Sequence, residues 1–115
     1  PWAIVSGGET SVRLGPSPGR GGRNLTYALA LAIALGGRSD TYALAADTDG
    51  IDGNSGFAGA LVSPRTLSFN NDLGRRPEDL LAAQCSALAF PDQAQLPPGA
   101  TGGNVNDIRI ALRTA

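Results

Sequence analysis

Apolar residues fall along this chain in short blocks of two different periods. Trp2 to Ser6 is a brief apolar run that predicts a buried strand, with Gly7-Gly8 as the turn closing it. From Glu9 to Leu14 polar and apolar positions alternate, with Val12 and Leu14 on one face, which predicts a second strand. Gly15 to Gly22 is a Gly- and Pro-rich loop. A helix is expected from about Asn24 to Leu35, capped by Asn24 and stopped by Gly36-Gly37. It is apolar nearly all round, so cover on most sides is expected. Thr41 to Ala46 reads as a strand, Asp47 to Gly56 as a polar loop, and Phe57 to Val62 as a helix turn or a strand. Pro77 to Leu88 predicts a second helix, because Pro and Glu78-Asp79 suit a first turn. Phe90 to Gly103 carries three prolines and reads as irregular. Asn106 to Arg113 sets Ile108, Ile110 and Leu112 against Arg109, Ala111 and Arg113, the alternation of a terminal strand. Interleaved strands and helices predict one α/β domain, a mixed sheet layered with flanking helices.

The polar blocks between these elements hold the candidate chemistry. Gly19-Arg20-Gly21-Gly22-Arg23-Asn24 stands at the predicted start of the apolar helix. A helix start has unpaired N–H groups and partial positive charge; glycines permit close approach, and arginine grips phosphate or carboxylate. The segment is thus a candidate anion site, the plain alternative being a turn whose arginines cap carbonyls or pair with nearby Asp. It lacks the Gly-Lys-Ser/Thr ending of a Walker motif, and Asn24 replaces the last glycine of a dinucleotide fingerprint. Asp47-Thr48-Asp49-Gly50-Ile51-Asp52-Gly53-Asn54 offers oxygen ligands for a hard cation, Mg²⁺ shared with phosphate suiting it better than an EF-hand's Ca²⁺. A tight turn capped by its own Asp side chains is the alternative. Gly102-Gly103-Asn104-Val105-Asn106-Asp107 reads as a turn or a cleft lining, and Gly7-Gly8-Glu9 as a hairpin turn with one carboxylate.

Composition narrows the classes. All nine basic residues are Arg, with neither Lys nor His, which excludes a Schiff-base lysine and a histidine base within this chain. One cysteine, Cys85, excludes an internal disulfide and a thiolate zinc site, and it is expected to be a packed thiol in a reducing compartment. A net charge of −1 argues against nucleic acid and anionic membranes as partners. The longest apolar run, Leu25 to Leu35, is far below the roughly 20 residues that span a bilayer. The chain begins at Pro1 and is expected to be part of a longer, cytoplasmic protein.

Taken together, Gly7-Gly8-Glu9-Thr10, Gly19 to Asn24, Thr48 to Gly53 and Thr101 to Asp107 occur in the order seen in the MOFRL domain, which this chain resembles over nearly its whole length, residues 1–115. That is the C-terminal domain of class II glycerate 2-kinases, often labelled hydroxypyruvate reductases. The resemblance implies a domain that closes over a larger N-terminal Rossmann-like domain, with the active site in the cleft between them. It implies transfer of the ATP γ-phosphoryl group to the 2-hydroxyl of D-glycerate with Mg²⁺, the isolated chain being inactive. Arg20 and Arg23 would be catalytic, gripping the glycerate carboxylate or the moving phosphate. Gly8, Glu9, Gly21, Gly22, Asn24, Asn104 and Asp107 would bind substrate or phosphate, and Asp47 and Asp49 are the metal candidates. The expected partners are the small hydroxy acid, ATP and the N-terminal domain, with homo-oligomerisation left open. Leu25-Thr26 stands where the family has Gln-Glu, Gln84-Cys85-Ser86 where it has Asn-Asp-Ser or His-Asp-Ser, and Gly103 replaces a Thr. The Leu25-Thr26 and Cys85 departures each remove a carboxylate and favour, as an alternative, a non-catalytic ligand-sensing or structural domain. Hydroxypyruvate reduction is a weaker alternative, because the chain has no dinucleotide fingerprint.

Overall fold

Three seven-residue strands form the platform of the computed structural model, which describes residues 1–8, 19–99 and 107–114: β1 (Trp2–Gly8), β2 (Thr41–Asp47) and β5 (Asp107–Arg113). Two shorter strands, β3 (Gly59–Val62) and β4 (Gln95–Leu96), complete a sheet ordered β1-β5-β2-β3-β4. The α/β layering is as expected, but every strand pair is antiparallel, where a mixed sheet was expected. The order strand–helix–strand suggests parallel neighbours. Here β1 and β2 do run in the same direction, but β5 inserts between them and pairs antiparallel with both. Segment 9–18, including the strand expected at Glu9 to Leu14, lies outside the described residues, as does 100–106.

Helix α1 (Arg23–Leu35) crosses β2 and β3. Leu25, Ala28, Leu29 and Ala32 meet Ala43, Ala45, Ala60 and Val62, and the small sheet residues let the helix lie close. Leu25 and Leu29 are fully buried, each worth about 1.5–3 kcal/mol. The helix is covered on most sides, as expected, with ten of its thirteen residues buried or half-buried. Tyr27, Ala30 and Ala34 form the exposed stripe that a single sheet and two short helices leave uncovered. Gly36, at φ 63°, ends the helix as expected.

Helix α2 (Thr66–Asp72) has no counterpart in the sequence reading, and α3 (Pro77–Ala82) is half the helix expected over Pro77 to Leu88. Gln84 takes φ 56° and Cys85 N–H reaches back to the Leu80 carbonyl at 2.9 Å, so the chain turns out of α3 and resumes as a 3₁₀ turn at Ser86–Ala89. Cys85 therefore sits in the break and not within a helix, half-buried. The break makes room for the glycine-arginine loop: Gly19 N–H reaches Ala83 O at 3.4 Å and Ala87 N–H reaches Arg20 O at 3.1 Å. No helix among the described residues is long and apolar enough to cross a membrane.

The last strand turns over relative to simple expectation. Register with β2 puts Arg109, Ala111 and Arg113 on the helix side and Ile108, Ile110 and Leu112 on the opposite side. Ala111 packs on the core, Arg109 stacks over Tyr27 at 5.2 Å, and Arg113 pairs with Asp40 at 3.1 Å. At the margin of α1, long arginine stems thus cover the helix-side face of the strand.

Candidate functional site

The start of α1 lacks a capping side chain of its own. Its N-cap is Gly22, not Asn24, which lies inside the helix. Two donors that a cap would satisfy, the N–H groups of Asn24 and Leu25, point instead at Asp52 from the loop after β2, at 3.0 and 2.9 Å. Asp52 is fully buried, and Asn24 Nδ2 adds a third hydrogen bond to it at 3.1 Å. The place expected for a bound anion is therefore filled by the protein's own carboxylate. An incoming phosphate cannot use those two N–H groups without displacing Asp52.

The glycines of the loop serve this internal contact. A Cβ built at Gly22 would overlap the Asp52 carboxyl. Gly53, at φ 54°, brings its Cα so near that a Cβ there would stand 2.6 Å from the Gly21 carbonyl oxygen. Gly21 N–H donates to Asn54 Oδ1 at 2.9 Å, and Asn54 N–H returns to Gly21 O at 3.1 Å. The two polar loops that the sequence singles out separately are thus zipped into one structure.

Beside them, three strand ends align. Gly8, Asp107 and Asp47 are neighbours across β1, β5 and β2. Arg23, from the first turn of α1, reaches over this row: its Nε donates to both Asp107 oxygens at 3.1 and 3.0 Å, and its Nη2 donates to Asp47 Oδ2 at 2.8 Å. The Asp107 side chain is fully buried and that of Asp47 is 6 % exposed, while Arg23 is 31 % exposed. Asn24 Nδ2 links Asp107 to Asp52, donating to Asp107 Oδ1 at 3.0 Å. Burial pushes the Asp47 carboxyl above its ordinary range. The Asp49 N–H opposes that shift, the Asp49 carboxyl adds to it and Arg23 pulls against it. Asp49 also turns its carboxylate onto Ile51 N–H at 3.1 Å.

Five of the residues singled out beforehand, Gly8, Arg23, Asn24, Asp47 and Asp107, share this cluster, with Asp49 at its edge. Gly21 and Gly22 lie in the adjoining loop. Arg20 goes elsewhere: its guanidinium donates to the Ser55 carbonyl and stacks on Phe57 at 5.8 Å, beside a cavity of about 370 Å³ that also meets Phe69 and Arg75. Arg20 thus turns to Ser55 and Phe57, whereas Arg23 turns to Asp107 and Asp47. Glu9 and Asn104 lie outside the described residues. Among the described residues no three His, Cys, Asp or Glu side chains converge as a metal cage. A Mg²⁺ ion held largely by phosphate oxygens needs only one or two carboxylates; of the two candidates, Asp47 already accepts from Arg23 Nη2 and Asp49 N–H, and Asp49 accepts from Ile51 N–H. The sequence reading missed the central part of Asp52. The available signal was a helix start with glycine where a capping side chain belongs, which requires a cap from elsewhere.

Comparison with known proteins places the fold. Residues 2–107 match the model of the MOFRL family. A protein of Agrobacterium vitis named "Putative hydroxypyruvate reductase" is 49 % identical over 97 % of this chain, which spans 26 % of that relative. A D-glycerate 2-kinase of Thermotoga maritima is 40 % identical over 97 % of the chain, which spans 27 % of it. The solved glycerate kinase of Thermotoga maritima superposes with a TM-score of 0.90 at 39 % identity, over 97 % of this chain and 27 % of that one. The chain thus has the length of roughly a quarter of these relatives and the fold of one portion of them, and it belongs to the MOFRL family.

Proposed function

We propose that this chain is the C-terminal domain of a glycerate 2-kinase, which moves the ATP γ-phosphoryl group to the 2-hydroxyl of D-glycerate in a cleft formed with an N-terminal domain. The observation that carries the reading is the row Gly8–Asp107–Asp47 bridged by Arg23, in a fold shared with a glycerate kinase. Phosphoryl transfer asks a protein chiefly for positioning and for charge to meet charge. Arg23 is held by two carboxylates and is a third exposed, so it would meet the glycerate carboxylate or the phosphoryl oxygens as a pre-oriented hydrogen-bond donor. The 2-hydroxyl oxygen would bond to the γ-phosphorus as the bond from that phosphorus to the ADP oxygen breaks, and the hydroxyl proton would pass to solvent. Asp47 and Asp49 are the residues that would hold Mg²⁺, which would supply positive charge to the phosphate groups. Asp52 takes no part in the transfer; it holds the helix start from which Arg23 projects.

The name of the Agrobacterium vitis relative favours a second reading, hydroxypyruvate reduction. A full-length protein carrying this chain should release ADP from ATP and Mg²⁺ only when D-glycerate is added, while NADH absorbance with hydroxypyruvate stays at background. NADH turnover without ATP would reverse the two. Glycerate binding with neither activity would support the non-catalytic domain.

A further inference from the structure

The sheet has two faces, and α1 covers only one. Ala43 and Ala45 of β2 point to the helix, so Tyr42 and Leu44 point away. Register carries that outer face across the sheet: Leu44 lies between Leu61 of β3 and Ile110 of β5, Ile110 opposes Val5 of β1, and Tyr42 opposes Leu112. The remaining positions in register are Ala, Gly and Ile108, so no charge interrupts the face. Val5 is 66 % exposed, Tyr42 and Leu112 each 43 %, and Leu61 37 %. At these exposures the face offers on the order of 400–500 Å² of apolar surface, the size of patch that marks an interaction site. Among the described strands β1 is also at the sheet edge, and it is exposed at all seven positions, an aggregation hazard unless something covers it.

We infer that the outer sheet face, centred on Val5, Ile110 and Leu112, is the docking surface for the rest of a longer polypeptide to which this chain belongs. The relatives give the occupant. This fold accounts for 27 % of the Thermotoga maritima kinase chain, so most of such a chain lies outside it and has to pack on some face. Of the two sheet faces, one is filled by α1, and the other is apolar and has no element packed on it among the described residues. Domain interfaces within one chain bury roughly 600–1,500 Å² in total, and an apolar patch of this size supplies one side of that. The inference rests on the fold and on the relatives' lengths, not on phosphoryl transfer.

Thiol protection tests it in the full-length protein, with Cys85 and any other cysteine replaced by Ser. Single cysteines are introduced as Val5→Cys and Leu112→Cys, with exposed Asp72→Cys at the end of α2 as reference. Reaction of the first two with a maleimide should be roughly tenfold slower or more than at the reference, as for a site seen only through local opening. That protection should persist on dilution to concentrations where light scattering gives a monomer. Rates equal to the reference would overturn the inference. Protection lost on dilution to the monomer would overturn it in favour of a second copy. Should either variant fail to fold, Leu61→Cys at the far margin of the same face carries the same expectation. No outcome depends on turnover, so failure here and failure of the kinase reading are separate results.

Discussion

Replacing Asp52 should unseat the start of α1. Its carboxylate accepts hydrogen bonds from Asn24 N–H, Leu25 N–H and Asn24 Nδ2, all in a site without solvent. Loss of an ordinary N-cap costs about 0.5–2 kcal/mol. Here the acceptor is a buried carboxylate, and hydrogen bonds to charged groups contribute about 1.5–3 kcal/mol each, less than additively. Asp52→Ala strands two buried N–H donors and should cost about 3–5 kcal/mol, a large share of the roughly 5–15 kcal/mol that stabilises a domain. Asp52→Asn keeps one oxygen but turns an NH₂ group toward a donor, and should cost about 2–3 kcal/mol. For a domain of this size that lowers Tm by about 8–15 °C. Urea unfolding followed by circular dichroism, with thermal melts, measures both variants. Asp49→Asn is the control: its carboxylate accepts an exposed hydrogen bond from Ile51 N–H, and the variant should stay within about 0.5 kcal/mol. If Asp52→Ala is as stable as the parent, the carboxylate is not the cap and the helix start is open to a ligand after all.

Arg23→Lys retains charge but loses the fork that reaches Asp107 and Asp47 together, so in the full-length enzyme kcat/KM should fall roughly ten- to a hundredfold. Because both carboxylates are buried, the same variant should also lose about 1–3 kcal/mol in urea unfolding; unchanged stability would contradict the pairing described. Gly22→Ala forces a Cβ into the Asp52 carboxyl and should cost about 1–3 kcal/mol, whereas a glycine kept for ligand approach would raise KM and leave the melt intact. Asp40, beside Arg38 and also bonded to Thr41 and Arg113, has its pKa lowered to about 2 from 3.8. Its folded form holds the proton less tightly than the unfolded chain, so its contribution is present above pH 3.8 and lost as pH falls toward 2. Melting temperatures of the parent and Asp40→Asn, compared by pH titration, should differ at neutral pH and converge near pH 2.

Features that depend on neighbours along the chain were legible without the fold. The α1 stop at Gly36, the strand at Thr41–Asp47, the Pro77 start of α3 and the terminal alternating strand are local signals of conformation and period, and they stand in the structure. The four ordered polar motifs likewise sufficed to indicate the family. Tertiary structure decided the rest, for reasons no local window contains. Insertion of β5 between β1 and β2 made the sheet antiparallel and chose which face of Ile108, Ile110 and Leu112 turned outward. The passage of the glycine-arginine loop over residues 83–87 ended α3 early. Arg20 and Arg23 are three residues apart in sequence, yet their partners lie 35 residues away in one direction for Arg20, and 24 and 84 away for Arg23. A glycine before a helix looks the same in sequence whether a phosphate or a distant aspartate fills the space beside it. Only the fold, by carrying Asp52 across 28 residues to the N–H of Asn24, settled which group caps the helix.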